Sequence, residues 1–333
     1  MDATLAFPLL IFLIVVAFAF DFLNGMNDAA NSIATVVSTR VLRPHYAVAW
    51  AAFFNFVAFL VFGLHVAETV GRGIVYANVV SERVIFGALI GAITWQIITN
   101  RLGIPSSSSH ALIGGLVGAG LAKAGVSAVV WDGVFKTVAG IVLAPGLGCL
   151  IALLLMLAVS WAFVRFTPYG VDNIFRHAQL VSASCYALGH GGNDAQKTMG
   201  IIAVLLYSTG HMQGEFHVPH WVALACYVAI GLGTLSGGWK IIETMGTRIT
   251  KLDQHQGFSA SLGGSVMLFT ASWLGIPVST THTITGCVIG AGAARRASAV
   301  RWQVAGNVMT AWVITIPASA AVAALFYYIT TLF

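Results

Sequence analysis

The sequence predicts an all-α polytopic membrane protein of about ten transmembrane segments, built as two inverted-topology repeats with broken or re-entrant helices. Three observations predict it. Hydrophobic residues make up 58% of the 333-residue chain and charged residues 8%, or 27 side chains (16 Lys and Arg, 11 Asp and Glu). A soluble domain carries about 25% charged residues, so a free cytosolic protein is excluded. Long apolar stretches follow one another along the chain, each near the length of about 20 residues that a span requires. The chain also repeats itself at a fixed offset.

In order, the apolar stretches are 4–20, 46–66, 84–98, 137–164, 221–239, 257–274 and 303–330. The first follows Met1-Asp2-Ala3-Thr4, which lacks the basic start of a secretory signal and is expected to remain as part of a mature span. Four more stretches, 28–42, 106–122, 178–207 and 278–294, are helix-like but interrupted, each preceded or broken by Gly, Pro or a polar cluster. Irregular backbone at membrane depth is tolerated only where protein buries it or a wet cavity meets it, so these interruptions carry the functional signal.

Loop charges orient the chain. Arg40, Arg43, Arg101, Arg165, Arg176, Lys240, Arg248, Lys251, Arg295, Arg296 and Arg301 fall on the side expected to be cytoplasmic, while the 208–220 loop has Glu215 and three histidines but no Lys or Arg. Tracing alternate crossings puts both termini outside with about five crossings per half, and leaves Lys123 and Lys136 on the wrong side. The net charge of +5 is the usual loop excess, and no basic block suggests nucleic-acid binding. Cys149, Cys185, Cys226 and Cys287 lie in apolar runs without CxxC spacing and read as small buried hydrophobes.

Residues 103–126 (GIPSSSSHALIGGLVGAGLAKAGV) and 275–298 (GIPVSTTHTITGCVIGAGAARRAS) agree at ten of 24 positions at an offset of 172, and Pro145 and Pro317 share that offset. A second echo, at offset 166, pairs Gly25-Met26-Asn27-Asp28-Ala29 with Gly191-Gly192-Asn193-Asp194-Ala195. The chain therefore divides into halves, 1–165 and 166–333, and an odd number of crossings in each would insert them in opposite directions, as in many secondary transporters.

The echoes select two constellations. In the first, an Asp in each half lies in otherwise apolar sequence, where an ionised carboxylate costs about 2.5–3.5 kcal/mol unless it is paired, hydrated or given a cation. Asp28 and Asn31 are three apart, Asp194 and Thr198 four apart, so each pair shares a helix face. The bland alternative is that these residues cap helix starts. Lys197 adds a cation in the second copy alone, to neutralise Asp194 or to face a substrate.

In the second, Pro105-Ser106-Ser107-Ser108-Ser109-His110 and Pro277-Val278-Ser279-Thr280-Thr281-His282 each precede a Gly/Ala-rich apolar run. This reads as a helix N-terminus, which offers free N–H groups, about half a positive charge and hydroxyl donors, suited to phosphate or sulfate. The bland alternative is capping and packing. His110 and His282 could orient the loops, carry protons or pair with an Asp. Gly114/Gly118 and Gly286/Gly290 are GxxxG spacings that suit half-helices lying against each other. Asn55, Gln96 and Asn307 read as interhelical hydrogen-bonders.

At GMNDAANS (Gly25 to Ser32) and GGNDAQKT (Gly191 to Thr198) the sequence resembles the inorganic phosphate transporter (PiT) family, in its bacterial low-affinity permease form, whose signature is a GANDVANS-like motif in each half. The likeness covers nearly the whole chain. It implies no enzyme and no cofactor, but a symporter of inorganic phosphate, alone or as a metal–phosphate complex with a divalent metal, driven by H⁺ or Na⁺ and alternating its access between two inverted halves in a bacterial inner membrane. Matching motif positions make Asn27, Asp28, Asn31, Asn193 and Asp194 the cation or proton candidates, with Na⁺ at Asp28 and Asp194 as the metal reading. Ser107, Ser108, Ser109, Ser279, Thr280 and Thr281 become the phosphate candidates, joined by Gln196 and Lys197. Met26 and Gly192 replace the motif's alanine, and Gln196-Lys197-Thr198 stands where the second copy would carry ANS, so a symmetric pair of cation sites is not expected. No large cytoplasmic insert separates the halves, which leaves regulation to a separate cytoplasmic protein; a homodimer in the lipid bilayer is the other partner left open.

Three other functions fit less of the pattern. A sulfate symporter of the same family would keep the architecture. An intramembrane aspartyl protease would use the two Asp residues but leave the duplicated Ser/Thr loops unexplained. An anion channel would need no coupling ion.

Overall fold

The computed structural model describes residues 7–212 and 214–332. The expectation for Met1 to Thr4 lies outside the described residues. Among the described residues there are twelve α-helices: α1 (Phe7–Ser38), α2 (Pro44–Val57), α3 (His65–Gly73), α4 (Glu82–Leu102), α5 (Ser108–Ala124), α6 (Trp131–Ala162), α7 (Pro168–Ser208), α8 (His220–Ser236), α9 (Trp239–Glu243), α10 (Gln254–Trp273), α11 (Thr280–Ala293) and α12 (Trp302–Thr331). One isolated bridge, Val75 to Val129, is the extent of strand-like pairing among them.

Five helices are long and apolar enough to cross a membrane: α1, α4, α5 with its extension to Ala128, α6 and α12. Two bent pairs raise the number to seven if each is one span. Pro44–Leu60 meets His65–Gly73 at 86°, and His220–Ser236 meets Trp239–Arg248 at 68°. Glycine sits at both bends, with Gly237 at a φ of +66° that a side chain would strain. Neither bend lies in the four stretches that the sequence marks as interrupted; each follows one of the two long motif helices, α1 and α7.

Of the four interrupted stretches, 106–122 and 278–294 do begin after a break. Gly103 and Gly275 end α4 and the turn after α10 with φ of +66° and +67°, an extended Ile-Pro follows, and Ser107 and Ser279 cap α5 and α11. The other two differ from expectation. Helix α1 runs unbroken through residues 28–38 and α7 through 178–207. Their glycines serve close approach instead: a Cβ on Gly25 would collide with the backbone of Ile230, and one on Gly191 with that of Asn55. Intrahelical hydrogen bonds stay satisfied, which a bilayer demands.

The packing is long-range in sequence: α5 packs on α12, and α11 on α6. The GxxxG glycines make these contacts, so they do not bring the half-helices against each other: Gly114 and Gly118 meet Ile316 and Ala320, while Gly286 and Gly290 meet Pro145 and Cys149. Two large apolar clusters and a small one at Val84, Ala119 and Ala323 form the core; the large two meet along α1 and α7. One holds Leu10 to Phe20 of α1 with Ala195 to Leu206 of α7, and the other Ala30 to Val36 of α1 with Ala183 to Ala187 of α7. The α1 and α7 residues between the clusters are the ones that carry the motif.

Candidate functional site

Three contacts along α1 and α7 locate the motif. Thr39 Oγ1 donates to Gln179 Oε1 at 3.0 Å, Asp28 and Asp194 lie within 4.8 Å of each other, and Thr198 Oγ1 donates to Asp21 Oδ1 at 2.9 Å. As α1 numbers fall, α7 numbers rise. Asp28 and Asp194 are 3% and 0% exposed and sit in mid-helix, which removes the reading of the motif as a helix cap.

The two hairpins close on this pair. Asp28 Oδ1 accepts from Thr281 Oγ1 at 3.1 Å, and its Oδ2 lies 3.3 Å from Ser108 Oγ and 3.4 Å from Thr280 Oγ1. Thr280 Oγ1 also reaches Asp194 Oδ2 at 3.1 Å. The hairpins bind each other reciprocally: Ser109 Oγ donates to the Val278 carbonyl at 3.4 Å, and Thr281 Oγ1 lies 3.2 Å from the Ser106 carbonyl. Asn31 Nδ2 donates to Thr281 at 3.0 Å and approaches Thr280 at 3.4 Å, while its Oδ1 has no partner. Lys197 Nζ donates to Asp194 Oδ1 at 2.5 Å, to the Val278 carbonyl at 2.8 Å and to Ser109 Oγ. Of the two roles foreseen for Lys197, pairing with Asp194 is the one the geometry displays.

Some candidates lie a step away. Ser107 and Ser279 use their hydroxyls to cap α5 and α11, accepting from His110 N and His282 N at 3.2 Å each. Asn27 and Asn193 tie the long helices to the helices before each hairpin, Asn27 through the Gln96 carbonyl and Asn100, and Asn193 through Ser272 Oγ and the Ile276 carbonyl. Gln196 is not brought to the cluster. Its Oε1 accepts from Val66 N and Ala67 N at 3.0 and 3.2 Å, satisfying the first amides of α3. His110 and His282 pair with neither Asp; their rings sit 4.6 Å apart, and His282 stacks on Trp312 at 3.9 Å. Asn55 does bond between helices, donating to Thr234 Oγ1 at 2.9 Å.

Sequence reasoning missed His190 and Tyr186. His190 Nε2 lies 3.2 Å from Asp194 Oδ2, and its Nδ1 is 3.1 Å from Asn55 Oδ1. Tyr186 donates to the Thr280 carbonyl at 3.0 Å. Spacing held the signal: Tyr186, His190, Asp194 and Thr198 recur every four residues, one stripe of a helix. Asp28, His190 and Asp194 offer three ligand atoms within 4.8 Å of one another, a donor set for a cation. The arrangement as a whole places two carboxylates, one ammonium and four hydroxyls at two facing helix starts, sealed from solvent. A cavity of about 570 Å³ lies behind Pro105, lined also by Thr99, Thr244 and Arg248.

Comparison with known proteins gives the following. The model of the phosphate transporter family matches residues 24–323. The chain is 68% identical over 328 residues to a probable low-affinity inorganic phosphate transporter of Rhizobium meliloti, covering 98% of each chain. It is 41% identical over 331 residues to a protein of the same description in Bacillus subtilis, covering 99% of this chain and 98% of that one. Among solved structures it resembles one described as the sodium-dependent phosphate transporter, with a TM-score of 0.89 at 27% identity, covering 98% of this chain and all of the other.

Proposed function

The chain belongs to the phosphate transporter family, and we propose that it is a secondary active symporter that moves inorganic phosphate against its gradient by binding a H⁺ or Na⁺ first. The observation that carries this reading is the convergence of three hydroxyls, those of Ser108, Thr280 and Thr281, from two facing helix starts on the buried Asp28–Asp194 pair. Two ionised carboxylates within 4.8 Å of each other repel by at least about 3 kcal/mol at an effective dielectric constant near 20. Lys197 offsets one of them permanently. A cation or proton at Asp28 offsets the other, and the hydroxyls and helix-start amides are then free to turn from the carboxylates to an oxyanion. Phosphate without the cation meets a net negative site, which is the coupling.

The two halves, 1–165 and 166–333, act in this reading as inverted repeats of five spans each. The count takes α1, the bent α2–α3 pair, α4, α5 and α6 as the first five, and α7, the bent α8–α9 pair, α10, α11 and α12 as the second. The opposed run of α1 and α7 and the reciprocal Ser109–Val278 and Thr281–Ser106 bonds support the inversion. Transport is then the rocking of one half on the other about the central cluster, with the cavity behind Pro105 as the inward path. With Arg40, Arg101 and Arg248 inside, both termini face out. Lys123, whose ammonium is bound to the Val79 carbonyl at 2.8 Å, and Lys136 then lie on the outer side, against the charge rule. The protease alternative falls away, since the family and its named relatives are transporters.

Radiolabelled phosphate uptake into proteoliposomes, with a pH gradient and a Na⁺ gradient imposed separately, is the direct test. Accumulation under either gradient agrees with a symporter. A phosphate current driven by voltage alone, indifferent to both gradients, would identify a channel instead. Sulfate added as competitor distinguishes the two anions.

A further inference from the structure

Two turns before Asp28 on α1 lies an acid outside the duplicated motif. Asp21 is fully buried, and its Oδ1 accepts from Thr198 Oγ1 of α7. Asn24 of α1 and Cys226 of α8 lie beside the carboxylate, with Tyr227 adjoining. Three atoms of this group have no hydrogen-bond partner: Asp21 Oδ2, Asn24 Oδ1 and the Tyr227 hydroxyl. Asn24 and Tyr227 are each 1% exposed. The titratable groups facing Asp21 are Asp194 of α7 and Cys226 and Tyr227 of α8. None of these is a cation, and among the described residues no Lys, Arg or His is paired with it; Lys197, next to Thr198, is turned to Asp194. The matching position in the second half is Ala187, so Asp21 is no part of the duplicated cradle.

We propose that Asp21 is a proton-binding site outside the central cluster, and that the proton which offsets Asp28 is first taken up there. The proposal rests on the reading of the chain as a gradient-driven phosphate carrier, and names the residue that admits its proton. An ionised carboxylate with one hydroxyl donor, only an amide and a thiol beside it and no countercharge is unstable at membrane depth, and uptake of one proton at Oδ2 removes the charge. Asn24, three residues on along the same helix face, has a free Oδ1 that suits the resulting O–H as acceptor. A metal ion fits less well, because it would have three free oxygens and a thiol as its shell, and hard monovalent ions prefer more oxygen than that. Asp21 borders the apolar cluster that holds the start of α1 and the end of α7, toward the 208–220 loop. With that loop outside, an entering proton meets Asp21 before the Asp28–Asp194 pair.

The test compares wild type with Asp21→Asn, which keeps the shape of the neutral acid but cannot exchange a proton. Proteoliposomes are assayed for exchange of labelled phosphate at equal pH and concentration on both sides, and for accumulation under a pH gradient. The expected result is near-normal exchange with accumulation lowered about tenfold, together with the loss, in infrared difference spectra at neutral pH, of a protonated-carboxyl band that wild type shows. Three results would overturn the assignment: pH-driven accumulation equal to wild type, no carboxyl band to lose, or Na⁺-driven accumulation that the substitution abolishes. Joint loss of exchange and accumulation would place Asp21 in phosphate binding itself and overturn it too. If wild type neither exchanges nor accumulates phosphate, it is the transport reading that fails, and the infrared comparison still decides whether Asp21 holds a proton.

Discussion

Asn31 and Lys197 stand at the same position of the two halves, 166 residues apart, and each reaches across to the equivalent residue of the opposite hairpin, Asn31 to Thr281 and Lys197 to Ser109. One is a neutral amide with a free oxygen and the other a cation already bound to Asp194. The halves thus share a frame but differ by one charge, and the difference falls where a symmetric carrier would place its second cation.

Lys197→Asn should therefore make the halves alike. Asp194 loses its fixed partner and needs an added cation, so phosphate uptake should depend more steeply on the driving cation and its KM for phosphate should rise. Uptake measured against cation concentration checks this; an unchanged steepness would mean that Lys197 does not stand in for a cation.

Lys197→Met leaves a buried carboxylate without its ammonium, and breaking a buried pair in this way costs about 3–5 kcal/mol. A marked fall in Tm in detergent is expected. The double variant Lys197→Met with Asp194→Asn should recover part of that fall, because the orphaned charge goes with its partner.

Asp28→Asn removes the charge that an incoming cation has to offset. Concentrative uptake should fall by one to two orders of magnitude, on the scale of about 1–3 kcal/mol of coupling between sites. Asp194→Asn should lose uptake as well, through Lys197. Gradient-driven uptake at the wild-type rate in both variants would defeat the proposed mechanism.

Thr280 is the hydroxyl shared by both carboxylates. Thr280→Val deprives two buried acceptors of their donor, at about 1–3 kcal/mol, and should raise KM for phosphate while Thr280→Ser restores it. Equal transport kinetics in the Val variant would remove the hydroxyl from the anion path.

Gln196→Ala should act on stability alone. The side chain caps α3 rather than facing the cluster, so Tm should drop by the equivalent of about 1 kcal/mol with KM unchanged. A raised KM at normal Tm would return Gln196 to the phosphate-binding set.

Much of this was legible in the chain itself. The offsets of 172 and 166 singled out the two hairpins and the two acids, and Ser107 and Ser279 cap helices where Pro and hydroxyls announce a start. The continuity of α1 and α7 was not legible, because glycine in a sequence reads alike whether it breaks a helix or lets another backbone approach; the position of Ile230 against Gly25 decides it. Gln196 and Asn27 carry motif identities but spend their polar atoms on α3 and α4, partners no local pattern names. His190 and Asp21 were readable from spacing, four residues before Asp194 and seven before Asp28, yet neither sits inside a repeated word.

The crossed packing of α5 on α12 and α11 on α6 has a consequence for biosynthesis. Helix α5 emerges early, but the surface its glycines fit, at Ile316 and Ala320, is synthesised much later. Until α12 emerges, α5 has α4 to pack on but lacks the partner its glycines fit. A chain cut short before Trp302 would lose more than one crossing: it would strand a helix from the opposite end of the molecule, so proofreading of nascent copies need only sense whether that late arrival has docked.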